Sequence, residues 1–263
     1  MRVTRYQVLL ATTATLAIAI GCLSAGALRW VALSVLFSTA GLVAGLGVSF
    51  PEWGLFGSSL CHVPTAQKVV ALTFDDGPDP ASTPALLDLL ARRGTRATFF
   101  CIGRRAAQYR ELAHRIAADD HLMGNHTFEH SGGTNWFSAA RLRSDLELAQ
   151  AEIARAAGRA PVFFRPPMML TNPQVFRVTR AMSLRVVGAT VRGYDLGGAS
   201  TDQILQRVLR GLKPGAIIAL HDGGVPPERV VALVERLLDR LHREGYSCLR
   251  LDELVACGKT AGT

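Results

Sequence analysis

Charge is almost missing from the first fifty residues of this chain. Between Arg5 and Glu52 the only charged side chain is Arg29. Cysteine is also sparse: the five present, Cys22, Cys61, Cys101, Cys248 and Cys257, form no C-x-x-C pair. That gives no cysteine metal-ligand spacing and no disulfide framework, which leans weakly toward a reducing compartment. Basic runs are absent as well, although the formal net charge is +8 and the sequence pI about 9.8. The positive charges are scattered arginines on expected helices, with no nucleic-acid motif. Nucleic acid is therefore not the expected partner, and a solvated surface or one facing anionic lipid headgroups accounts for the charge. No internal repeat or low-complexity tract interrupts the 263 residues.

The uncharged start is long enough to matter. Residues 8–28 and 30–50 are two uncharged stretches of 21 residues each, about 30 Å apiece as helices, which matches a bilayer core. They predict a helical hairpin, with its small residues letting the two helices approach closely. Arg29 is expected in the tight turn, snorkelling to the headgroups. A signal peptide is the rival reading, with Arg2 and Arg5 as its basic start and Ala25-Gly26-Ala27 imitating a cleavage site. Two spans with Arg2 and Arg5 inside return the remaining chain to the cytoplasm, and an outward-facing domain is the alternative. The expectation is a multi-pass protein of a bacterial-type inner (plasma) membrane. It comprises spans over 1–50, a linker over 51–66, a catalytic domain over 67–257 and a tail over 258–263.

Beyond the linker, apolar runs alternate with amphipathic ones. Strands are expected at 68–74, 97–102, just before His126, and at 162–165, 184–190, 216–220 and 246–250. Helices are expected at 84–93, 104–118, 138–157, 202–211 and 228–244. Alternating β and α implies a parallel sheet, open or closed.

Two short clusters carry chemistry. Thr73-Phe74-Asp75-Asp76-Gly77 closes an apolar strand, and His126-Thr127-Phe128-Glu129-His130 sets two histidines four apart. On one helical turn that spacing puts both imidazoles on one face. Two imidazoles and a carboxylate suit zinc and leave coordination positions open, and the same set suits Fe, Co or Ni. Adjacent aspartates divide labour, since one can bind metal while its neighbour stays free. Taken singly, Asp-Gly followed by Pro is a turn signal, and spaced histidines can be surface residues. Together they supply what hydrolysis of a stable amide needs: a cation to polarise the carbonyl and a base to take a proton from water. His221-Asp222 ends another apolar run. It could cap a core strand or supply the proton donor for a leaving amine.

Five ordered blocks, Thr73 to Gly77, His126 to His130, Arg165-Pro166-Pro167, Tyr194-Asp195 and Leu220-His221-Asp222, resemble the polysaccharide deacetylases, the NodB-like group of carbohydrate esterase family 4. The resemblance runs over about residues 68–254. It implies an α/β fold, a distorted and incomplete (β/α) barrel of about seven parallel strands. It implies Asp75 as general base, and Asp76, His126 and His130 as ligands of one divalent metal, zinc first, then Co, Ni or Fe. His221 becomes the general acid, Asp195 the carboxylate that raises its pKa, and Arg165 the ion-pair partner of Asp75. The Met168 N–H is the implied oxyanion donor, with Pro167 beside it and Ile218 and Leu196 on the pocket wall. Trp136 could be a sugar platform or a packing residue.

Some positions depart from that pattern. Met168-Met169 stands where an aromatic and Gly are common, Leu196 where Trp is common, and Arg192 where Asp is common. The implied wall is more apolar and less aromatic, which suits an amino sugar carried on a lipid better than a long glycan strand. The chain is thus expected to be a membrane-anchored, metal-dependent deacetylase of an acylated amino sugar. Alternatives are a carbohydrate O-acetyl esterase, a peptidoglycan or exported-polysaccharide N-deacetylase if the domain faces outward, and an inactive sugar- or lipid-binding membrane module.

Overall fold

The apolar residues of the strands are buried on both faces of one curled sheet. The computed structural model describes residues 3–260. Arg2 and residues 261–263 of the expected tail lie outside the described residues. The strands are β1 (Val69–Asp75), β2 (Thr98–Cys101), β3 (Leu122–Asn125), β4 (Phe163–Phe164), β5 (Arg185–Val186), β6 (Val191–Arg192), β7 (Ile217–His221) and β8 (Ser247–Leu249). The helices are α1 (Arg5–Leu23), α2 (Gly26–Ser49), α3 (Thr83–Arg92), α4 (Gly103–Gln108), α5 (Arg110–Ala118), α6 (Ala139–Ala157), α7 (Pro173–Ala181), α8 (Thr201–Arg210), α9 (Pro227–Arg243) and α10 (Leu251–Thr260).

The sheet runs β5-β4-β3-β2-β1-β7-β6, with β8 pairing the start of β1. Every pair is parallel, so the chain forms a curled α/β half-barrel with helices outside. The two-residue β6 was not among the expected strands; it pairs with β7 after a break at residues 187–190. The period of two along β1 sorts its side chains. Val70, Leu72 and Phe74 join an outer core with Leu86 and Leu90 of α3 and Val230, Leu233 and Leu237 of α9. Ala71 belongs to the inner core, with Phe100, Ile217 and Leu251. Thr73 and Asp75 continue that inner face toward the carboxyl end of the sheet.

Four expectations need correcting. The single helix at 104–118 is two, broken at Tyr109 (φ −111°, ψ 56°). The break lets Gly103 close on the Ala149 backbone of α6 while Ala113 and Ile116 turn into the core. The segment 51–66 is no free tether: Leu55, Phe56, Leu60 and Val63 are buried, and Leu60 and His62 bridge to Val187 and Ala216. Residues 258–260 of the expected tail continue α10. Arg29 lies in the first turn of α2, not in the connecting turn, and its Nε donates to the Ser24 carbonyl (2.8 Å) at the end of α1.

Both α1 and α2 are long and apolar enough to cross a membrane, and they are the only such helices among the described residues. The expected multi-pass arrangement therefore reduces to one hairpin. Its far end is fastened to the barrel: the Arg5 guanidinium donates to the Trp53 carbonyl, the Tyr6 N–H to Leu55, and the Thr171 N–H to Val48 (2.5, 2.9 and 3.0 Å).

Candidate active site

Parallel pairing of β1 with β7 puts Asp75 directly opposite His221 at the carboxyl edge of the sheet, where such folds gather their chemistry. The next residue, Asp76, takes a left-handed backbone (φ 73°) as the chain leaves β1. The Arg105 guanidinium holds that turn by donating to the Asp76 carbonyl and the Asp79 carboxylate (3.0 and 3.1 Å). Gly77 follows because nothing larger fits: a Cβ there would lie 2.1 Å from Asp222 Oδ2.

The histidines arrive by another route. His126 to His130 is a loop and not a helical turn, with Thr127 and His130 both at positive φ. Side chains replace the hydrogen bonds a helix would have made. Asn125 Oδ1 accepts from the Thr127 N–H, while the Asp145 carboxylate accepts from Phe128 and Glu129. Thr127 Oγ1 accepts from the His130 N–H (3.1 Å). The two histidines of the i, i+4 spacing are thus brought together by a loop and not by a helical turn.

His126 Nδ1 lies 2.7 Å from the Arg165 carbonyl. A carbonyl only accepts, so Nδ1 carries the proton and Nε2 presents its lone pair. That Nε2 is 3.3 Å from Asp76 Oδ1, and His130 Nε2 is 3.0 Å from the same oxygen. One ligand atom from each residue falls within 4.8 Å of the others, and Asp76 Oδ1 is buried with no hydrogen-bond partner. Burial raises the Asp76 pKa, but the His126 and His130 imidazoles outweigh it and hold the carboxyl at about 2. Burial and the neighbouring His126 push His130 down. An ionised carboxylate and imidazoles with free lone pairs are the protonation states that a divalent cation requires, so the three residues fit one.

Asp75 is occupied differently. Its Oδ1 accepts from Arg165 Nη1 at 2.7 Å. Arg165 is fully buried, donates also to Thr73 Oγ1 and the Gly188 carbonyl (2.8 and 2.9 Å), and lies over the Phe100 ring. The pair leaves Asp75 beside the triad without belonging to it. His221 Nδ1 donates to Asp195 Oδ1 at 2.8 Å, and the His221 N–H donates to Asp195 Oδ2 at 2.9 Å. Burial works against the protonated His221. The Asp195 hydrogen bond and the charges of Asp75, Asp195 and Asp76 outweigh it and lift the pKa to about 9.

These groups open into one cavity of about 320 Å³, walled by Met168, Met169, Arg192, Gly193, Tyr194, Leu196 and Ala219. Ile218, expected on that wall, packs instead in the outer core. Adjacent strand residues face opposite ways, so Ala219 takes the inner position. Pro167 is buried behind Met168 in a neighbouring crevice. Met168 turns in the left-handed region (φ 55°), while the next two amides are bonded to the Pro166 and Pro167 carbonyls. Leu196 stands half-exposed at the rim, and Trp136 is 88% exposed and outside the cavity wall.

The model of the family described as polysaccharide deacetylase matches residues 62–187. A peptidoglycan-N-acetylglucosamine deacetylase of Bacillus cereus is 33% identical over 196 residues, which cover 74% of this chain and 91% of that protein. The chain belongs to the polysaccharide deacetylase family. Among solved structures, the Bc1960 peptidoglycan N-acetylglucosamine deacetylase superposes with a TM-score of 0.71 at 29% identity, over 74% of this chain and 92% of that one. A family 4 acetyl xylan esterase from Clostridium thermocellum, solved with a cobalt ion, gives a TM-score of 0.66 at 33% identity, over 72% and 91%. The relatives named here thus include peptidoglycan N-acetylglucosamine deacetylases and an acetyl xylan esterase. The matched region starts after the hairpin, so α1 and α2 stand outside the family model.

Several residues that build this deacetylase site were not singled out by the sequence: Asn125, Asp145, Arg105, Asp79 and Ala219. Asp145 left a signal. It sits three residues after Leu142 and four before Ala149, on the buried stripe of α6, where a carboxylate needs backbone partners to be tolerated.

Proposed function

We propose that this chain hydrolyses the acyl group, normally acetyl, from the nitrogen of an amino sugar. The observation that carries the reading is one cavity in which a cation-binding triad, an arginine-held carboxylate and a carboxylate-held histidine converge. Asp76, His126 and His130 would hold one divalent cation, zinc being the natural choice for two imidazoles and a carboxylate. Bound there, the ion supplies Lewis acidity toward the acyl carbonyl and toward water. Asp75, held in place by Arg165, takes the proton of the attacking water. His221 donates its proton to the departing nitrogen, and the Met168 N–H would support the carbonyl oxygen as it gains charge.

The acid's protonation fixes a pH limit. A donor whose pKa is raised is loaded below that value and empties above it. Turnover should therefore fall as pH rises through about 9. Asp195→Asn removes the hydrogen-bonded charge and should move that alkaline limb toward neutrality in a kcat–pH profile. An unmoved limb would remove His221 from the acid role.

The substrate we assign is an amino sugar linked to a lipid, worked on at a membrane surface with residues 51–263 on the cytoplasmic side. In support, the end of α2 is hydrogen-bonded to the loop after Met169, so the cavity mouth lies close to the hairpin. The acetyl xylan esterase relative favours sugar O-acetyl esters as a second substrate class, since the same groups cleave either bond. Mass spectrometry of membrane lipids and cell-wall glycans, with and without the protein, tests the assignment. A lipid-linked amino sugar should gain one acetyl group when the protein is missing. The same change confined to peptidoglycan would replace it with an outward-facing enzyme.

A further inference from the structure

We propose that Arg192 binds an anionic group of the substrate, a phosphate that joins the amino sugar to its lipid. The inference rests on the deacylation reading above and names the substrate's charged joint. In the register of β6 with β7, Arg192 lies beside Ala219, two residues before His221. Both Arg192 and Ala219 line the cavity that holds the catalytic groups. The cavity's neighbour Arg165 is neutralised by Asp75, whereas no carboxylate among the described residues lies in ion-pair range of Arg192. Its guanidinium instead reaches two main-chain carbonyls, Met168 (3.4 Å) and Ser49 (3.3 Å). Both contacts are long for N–H···O bonds, so an anion can replace them at small cost. A guanidinium matches phosphate geometry with paired donors.

The second observation is what lies on the far side. Ser49 is the last residue of α2, an apolar helix of membrane-crossing length. Phe50 and Trp53 follow it, their rings stacked at 5.4 Å and both about two-fifths exposed (41% and 43%), as aromatic residues at a membrane–water interface are. The cavity rim continues the apolar surface with Met168, Tyr194 and Leu196, each at least half exposed (57%, 60% and 50%). Arg192 therefore stands between the polar catalytic groups and the last residue of a membrane-length helix, on a cavity whose rim is apolar. A sugar, a phosphate and a hydrocarbon chain have that order of chemistry.

Arg192 could instead do no more than cap the carboxyl end of α2, and a binding measurement separates the two roles. Full-length chain in neutral detergent micelles, stripped of metal so that phosphate cannot ligate it, is titrated calorimetrically. The probes are N-acetylglucosamine 1-phosphate and the neutral methyl glycoside of N-acetylglucosamine. The sugar phosphate should bind about 10- to 100-fold more tightly, the range of a charge-assisted hydrogen-bonded contact. Arg192→Ala should bring that ratio close to one, and Arg192→Lys should keep part of it. A cap alone would not produce a phosphate preference. Equal affinities in the unaltered chain, absence of binding by both probes, or a preference that survives in Arg192→Ala overturns the proposal. Excess phosphatidylglycerol in the micelles separates substrate phosphate from lipid headgroup: the preference should persist, and its loss would hand Arg192 to the headgroup and overturn the substrate assignment. Acetate release by the metal-loaded chain keeps the two readings apart. Release from both sugars at one rate would leave deacylation standing without the phosphate contact. A phosphate preference in binding without acetate release from any sugar would leave the contact standing without deacylation.

Discussion

Asp75→Asn should keep the full complement of metal and lose turnover by about 10²- to 10⁴-fold, the usual worth of a general base. The substitution removes charge and proton affinity but little volume. It leaves Asp76, His126 and His130 untouched, because the Asp75 carboxylate is directed to Arg165 and not into the triad. The variant carries a stability cost that must be read alongside. Arg165 is fully buried, and losing one member of a buried ion pair costs about 3–5 kcal/mol when the remaining charge has no partner. Asparagine retains an oxygen toward Arg165, and Thr73 Oγ1 and the Gly188 carbonyl still accept from it, so the loss should fall below that range. Thermal unfolding of the variant checks this. Should it fail to fold, the double variant Asp75→Asn with Arg165→Met removes the stranded charge and should show the same kinetic loss. Turnover within a few-fold of the unaltered chain in either folded variant would take the base role from Asp75.

His126→Ala should release the metal. One of the three proposed ligands goes, and with it the Nδ1 contact to the Arg165 carbonyl that fixes the ring. Elemental analysis of the purified chain should give one divalent ion per molecule before the change and a small fraction after it, with turnover falling in parallel. The loop should survive, because Asn125 and Asp145 hold it from below through the Thr127, Phe128 and Glu129 amides. Full metal content in His126→Ala would mean that the ion sits elsewhere.

Local chemistry was the part of this site legible in the sequence. The alternation along β1 gives the inner face to Thr73 and Asp75, and an ionisable pair at the end of a buried strand has few other uses. The same alternation shows why Ile218 was misplaced. A motif offset gives a position along β7, but facing is set by parity, and His221 on the inner side forces Ala219 inward and Ile218 outward. The histidine loop escaped for another reason. Its shape depends on Asn125 and on Asp145, which approaches from α6 far along the chain, and no periodicity within five residues records such a partner. The short strand β6 rests on two residues, too few for a pattern to emerge.

The hairpin divides similarly. Length and missing charge marked α1 and α2, and their bounds shifted because the turn forms at Ser24 and Ala25, leaving Arg29 to cap α1 from inside α2. Contact between the end of α2 and the cavity wall could not be read locally. It joins Ser49 to Arg192 and Val48 to Thr171, residues more than a hundred positions apart, and it brings the apolar hairpin beside the cavity.

One measurement tests the central claim most directly. The metal-stripped, detergent-solubilised full chain is titrated with zinc while acetate release from an N-acetylated amino sugar is recorded. Release should be absent at the start, climb with the first equivalent of metal and then level, and stay absent throughout in Asp75→Asn. Undiminished acetate release from the metal-stripped chain, or none at any metal loading from N-acetylated sugars whether free, phosphorylated or lipid-linked, would contradict a metal-dependent deacylase.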